Sequence, residues 1–165
     1  MLDSSLPGGN HPFALYRWSK MGVRVDEVLV PVCADATIEA ALLNLLESAK
    51  DSRGSGELGA SAHEALELRH HAAWTEARAN HVAGNRELVE HRSQSLTASH
   101  RARRAAIEEQ LRSATNEKIR LMKSSQLARA EADFERRIAE IQRSVDAADI
   151  LATPVVFGMI EVGSS

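Results

Sequence analysis

The stretch Ser61–Asp149, SAHEALELRHHAAWTEARANHVAGNRELVEHRSQSLTASHRARRAAIEEQLRSATNEKIRLMKSSQLARAEADFERRIAEIQRSVDAAD, decides the fold because it runs without a proline. It reads as helix, folded into a coiled-coil hairpin. Ser61 with Glu64 three residues on has the spacing of a capping box, which marks the start. From Ala62 to His91 the apolar positions are mostly alanine, so the seam is thin and the partner helix must come close. Gly84-Asn85 interrupts it, at about 1 kcal/mol for a mid-helix glycine relative to alanine. SQSLTAS, Ser93 to Ser99, is the least helical run, since serine and threonine hydroxyls compete for backbone hydrogen bonds. The reversal is expected there, with Ser113 to Asn116, or an unbroken helix through both, as the alternatives.

Beyond it, Ile107, Leu111 and Ala114 recur at four and three, and Phe134, Ile138, Ile141 and Val145 at four, three and four. These are heptad spacings in two blocks out of phase, which predicts a stutter between them. Glu108 with Arg112 and Asp133 with Arg137 are i,i+4 pairs suited to the solvent side. Two arms of about 40 residues would each extend about 60 Å.

The flanks supply a base. Residues 1–12 hold Pro7, Gly8, Gly9, Asn10 and Pro12 and read as irregular. Phe13, Tyr16 and Trp18 follow, either a docking patch or the frayed end of a module. VRVDEVLVPV, residues 23–32, reads as one or two short strands, its phase shifted at Asp26-Glu27, with Pro31 favouring an edge position or the strand's end. Asp35 caps a helix over about 36–49, with Ile38, Leu42, Leu45 and Leu46 on one face. DSRGSGELG, residues 51–59, is a flexible loop. The helical region should stop by Ile150 to Thr153, ahead of Pro154, and Val155 to Val162 is expected to pair beside Val23 to Val32. The expected fold is therefore mainly α, a long antiparallel coiled-coil helical hairpin on a small base of two short β-strands and one helix. Its segments are residues 1–60, 61–150 and 151–165.

Composition agrees: aromatics are 4% of the chain, which suits helix packing through thin seams more than a thick globular core. Lone Cys33 excludes an internal disulfide and reads as a buried thiol. No apolar run approaches the roughly 20 residues that span a bilayer, and the first residues carry no basic leader, so a cytoplasmic location is expected.

Six histidines fall between His63 and His100, but none forms HExxH, and they read as solvated or seam residues. The glycine-rich loop lacks the Lys-Ser/Thr pair of a phosphate-binding loop, and no G-x-S-x-G elbow exposes a serine. The expectation is a non-catalytic chain with no metal or cofactor. The net charge of -3 hides one local feature: His100 to Lys123 carries seven Lys/Arg against three Glu. Arg101, Arg103, Arg104, Lys118, Arg120 and Lys123 are the candidate contact residues for nucleic-acid phosphates or a protein partner.

The final strand adds a resemblance. Ala148-Asp149-Ile150, Ala152, Pro154-Val155 and Phe157-Gly158 spell an ADI-x-A-x-PV-x-FG pattern after a charged helix. Through it, Asn116 to Val162 resembles the C-terminal segment of large bacterial Swi/Snf-like helicase-related ATPases. That family's activity is ATP-driven movement on double-stranded nucleic acid, carried by motifs in its motor lobes. No Gly-Lys-Thr/Ser loop and no Asp-Glu-x-His box stands here, so no catalytic residue carries over. The resemblance implies an accessory module that docks a helicase-like motor or other partner protein. The alternative is an arm binding the nucleic-acid backbone through residues 100–123, and self-association into a homo-oligomer is compatible with both.

Overall fold

A computed structural model of the chain describes residues 6–52 and 58–163. The elements run β1 (Gly9–Met21), β2 (Asp26–Cys33), α1 (Ala36–Glu47), α2 (Ala60–Ser113), α3 (Glu117–Asp146) and β3 (Asp149–Val162). The chain is mainly helical with one three-stranded antiparallel sheet of order β2-β1-β3. It divides into two compact units. The first comprises Met1–Met21, Val25–Asn80 and Ile150–Ser165, the second Gly22–Arg24 and His81–Asp149.

In the first unit the sheet has three strands where two short ones were expected, and β1 is the addition. Phe13 pairs with Cys33, Tyr16 with Val30 and Trp18 with Val28, so β1 lies between β2 and β3. The expected pairing of Val155–Val162 beside Val23–Val32 is thus corrected. β1 escapes a period-two reading because over Phe13–Tyr16 both of its faces are apolar and buried, as a central strand covered on both sides must be. Even-numbered Ala14, Tyr16 and Trp18 join Val32 and Ile150 against Leu66 of α2. Odd-numbered Phe13 joins Cys33 against Ile38, Leu42 and Leu45 of α1. The three aromatics are therefore core and not a docking patch, and the turn-like residues Gly9, Asn10 and Pro12 form the start of a strand.

The second strand begins at Asp26, which leaves Val23 and Val25 outside it, and Ser19 Oγ donates to Glu27 Oε1 across the register pair. Pro31 sits on an edge strand, as expected. The Asp35 cap stands: its Oδ1 accepts from Thr37 N and Ile38 N, and these bonds hold its carboxyl below the usual range. Cys33 is fully buried. Helix α2 starts one residue before the expected cap, so Ser61 lies inside it and the Gly59 carbonyl accepts from Ala62 and His63. Part of the expected Gly/Ser loop, residues 53–57, lies outside the described residues. Trp74 Nε1 donates to the Ile150 carbonyl at 2.9 Å, fixing the start of β3 on α2. That strand begins at Asp149, ahead of Pro154, which it accommodates because it too is an edge.

In the second unit α2 passes unbroken through Ser93–Ser99, and the interruption falls at Ala114–Asn116, the alternative site. The reason is tertiary. Val89, Ser93, Leu96, His100, Ile107, Leu111 and Ala114 are buried or half-buried at spacings of mostly four and three, and this stripe outweighs the weak propensity of the serines. The break has its own local signals. Ser113 Oγ turns back onto the carbonyls of Glu109 and Gln110, and Asn116 Oδ1 caps α3 by accepting from Lys118 N at 2.9 Å. The two heptad blocks are out of phase because they lie on different helices, so no stutter between them is needed.

Partners of rising number on α2 meet residues of falling number on α3. Asn85 Nδ2 donates to the Ser144 carbonyl, and His100 meets Glu131 and Phe134. Asn85, only 6% exposed, also accepts from Val23 N at 2.8 Å. Gly22, at φ +152°, lies so close that a Cβ there would overlap Asn85 Oδ1.

Candidate functional site

The six basic candidates all belong to the second unit, and helix geometry sorts them. At 100° per residue Arg101 and Arg103 point about 160° apart, as do Lys118 and Arg120, so neither pair faces one way. Arg104 is already engaged: its Nε meets Glu108 Oε1 at 2.8 Å and its Nη1 meets Glu131 Oε1 at 3.2 Å. Those two carboxylates, Glu108 before Glu131, raise its pKa further. Lys123 is half-buried and donates to Gln126 Oε1. Arg101, Arg103, Lys118 and Arg120 are exposed and form no ion pair among the described residues. Four of the six candidates are thus exposed cations, and the structure does not bring the six onto one face.

Beside Arg101 lies a groove of about 420 Å³ lined by Ser93, Gln94, Thr97 and Ala98. Ser93 Oγ is buried there with no hydrogen-bond partner. Deeper in the seam, the His100 ring stacks on Phe134 at a centroid distance of 4.1 Å and 9° between planes. Its Nε2 lies 3.1 Å from Glu131 Oε2, so this nitrogen carries the proton that the carboxylate accepts. Arg104 holds the other oxygen of the same carboxylate.

The sequence reading passed over three residues near the start of α3. Ile119, Leu121 and Met122 are 44%, 74% and 49% exposed. Leu121 lies about 160° around the helix from the half-buried Lys123, on the outward face. A signal existed, since these apolar residues break the heptad pattern that Leu127, Ala130 and Phe134 follow. Its meaning depended on where α3 begins.

The first unit holds a second cluster. Trp18 Nε1 donates to His70 Nε2 at 2.9 Å, and the His70 ring stacks on Tyr16 at 3.5 Å and 5°. Burial, then neighbouring His71, pushes the His70 pKa down, and Glu67 opposes them. Burial raises that of Tyr16, with the Glu67 charge adding to it. Indole nitrogen can only donate, so His70 is neutral with its proton on Nδ1. A recess of about 300 Å³ nearby is lined by Pro12, Ala34, Ala62, Ala65, Leu66 and Arg69. Its single charge is occupied, because Glu39 Oε2 accepts from both Arg69 Nε and Cys33 N. Among the described residues no three His, Cys, Asp or Glu side chains are grouped to hold a metal ion. No described helix is long and apolar enough to cross a membrane.

No family model, curated protein or solved structure matches this chain.

Proposed function

We propose that the chain is a non-catalytic coiled-coil interaction module that docks a helicase-like motor or another partner protein. The observation that carries this reading is the antiparallel order of contacts between α2 and α3. Asn85 with Ser144 and His100 with Glu131 support reading the second unit as a helical hairpin that turns at Ala114–Asn116. A hairpin whose seam is fixed by buried polar pairs holds one register, and an arm of one register presents a defined surface to a partner. The ADI-x-A-x-PV-x-FG resemblance supports a helicase-type ATPase as that partner. In-cell cross-linking followed by affinity purification tests the reading. A discrete protein bound in fixed ratio is the expected result, and a monodisperse monomer with no cross-linked partner contradicts it.

A second reading is an arm that binds the nucleic-acid backbone, favoured by the free cations Arg101, Arg103, Lys118 and Arg120. It requires sequence-independent binding that weakens steeply with salt, because phosphate neutralisation releases counterions. Charge reversal at Arg101 and Arg103 must then reduce binding to duplex DNA; unchanged binding removes this reading.

A further inference from the structure

We infer that the first turns of α3 form the docking contact of this arm, with Leu121 and Met122 inserting into an apolar pocket bordered by carboxylates on a partner protein. The inference deepens the docking reading above and rests on it. A solvent-facing coiled-coil surface is ordinarily polar, and three large apolar side chains exposed within four residues depart from that. They stand inside a segment of one sign. From Lys118 to Ala130 there are four cations, Lys118, Arg120, Lys123 and Arg129, and no Asp or Glu, whereas Glu131, Asp133, Glu135 and Glu140 follow in the next ten residues. Lys118 stands four residues before Met122 and Arg129 seven after it, so at 100° per residue these two exposed cations flank the apolar pair on one face. An apolar anchor flanked by cations fits an acidic rim around a hydrophobic pocket, the pattern of a hot spot with complementary charge.

Two other occupants fit less well. A helix lying in a membrane surface needs an apolar stripe over several turns. Here the exposed positions after Met122 are Ser124, Ser125, Gln126, Ala128 and Arg129. A nucleic-acid backbone would leave the apolar trio against phosphates, and this segment carries no aromatic ring for base stacking.

The test titrates the full chain with a synthetic helical peptide that carries leucine at i, i+3, i+4 and i+7 and glutamate elsewhere. It compares wild type with a Leu121→Asp, Met122→Asp variant and a Lys118→Glu, Arg129→Glu variant. All four positions are exposed, and circular dichroism checks that helix content is kept. We expect saturable binding that falls at least tenfold in each variant, and none for the same peptide with lysine in place of glutamate. Equal affinity across the three proteins overturns the inference. So does tighter binding of phosphatidylglycerol vesicles or of duplex DNA through the same residues, which would assign the patch to a membrane or a nucleic acid. A native cross-linked partner kept by both variants overturns the patch and leaves the docking reading, whereas a wild-type chain with no cross-linked partner overturns both.

Discussion

Trp18 Nε1 and His70 Nε2 share a 2.9 Å hydrogen bond in the core of the first unit, joining the central strand to α2. Replacing His70 with alanine leaves the indole N–H buried and unpaired and removes the stacked ring beneath Tyr16. The expected cost is about 2–4 kcal/mol, from the unmet donor and the lost ring contact. Trp18 and Trp74, the chain's two tryptophans, both lie in this unit, so urea unfolding followed by tryptophan fluorescence reads it directly.

The burial of His70 sets a pH dependence. The folded pKa of His70 is depressed below 6.5, so the unfolded chain takes up the proton first as pH falls. Stability from this residue is fully present above about 6.5 and declines as pH drops through the lowered folded value. The urea midpoint of the first unit is expected to fall between pH 7.5 and pH 5, and less so in His70→Gln. A midpoint that rises on acidification contradicts the assignment of a neutral, buried His70.

In the second unit, Asn85→Ala strands Val23 N–H and the Ser144 carbonyl. About 1–3 kcal/mol should be lost, and amide exchange at Val23 should accelerate. Gly22→Ala should act at the same place, through its positive φ and the overlap with Asn85. If both variants leave Val23 exchange unchanged, this contact does not hold the register.

Ser93→Ala is expected to stabilise the second unit by about 1 kcal/mol, since it deletes a buried hydroxyl that has no partner and favours helix. Helical ellipticity against urea checks this, and a loss of stability would mean that the hydroxyl makes a bond that matters.

In the first unit, Gly158→Ala should destabilise the sheet by about 1–3 kcal/mol, because its Cβ would stand 2.9 Å from the buried Phe13 ring. Thermal unfolding measures it, and a neutral result would show that the ring can give way.

Helix α1 with its Asp35 cap, the edge position of Pro31, and the burial of Cys33 were legible in the sequence, because each depends on local chemistry. Strand β1 was not, since its central residues Phe13–Tyr16 are buried on both faces and lose their alternation. The break between α2 and α3 falls at the alternative site and not at Ser93–Ser99, because serine propensity is local while the seam through Val89, Leu96 and His100 acts over the whole unit. The Asn116–Glu117 cap that marks the true break is short and easily passed over. At the candidate site, charge alone identified the free cations. Their divergent directions, and the exposure of Ile119, Leu121 and Met122, follow only once α3 is known to begin at Glu117.

The most direct measurement of the docking account is site-specific photocross-linking in cells, with benzoylphenylalanine placed at Met122 and, as a control, at the exposed Leu29 of β2. The account predicts one discrete adduct with an acidic protein from position 122, absent from position 29 and lost when Lys118→Glu is added. An adduct unaffected by Lys118→Glu, or none from position 122, would contradict it.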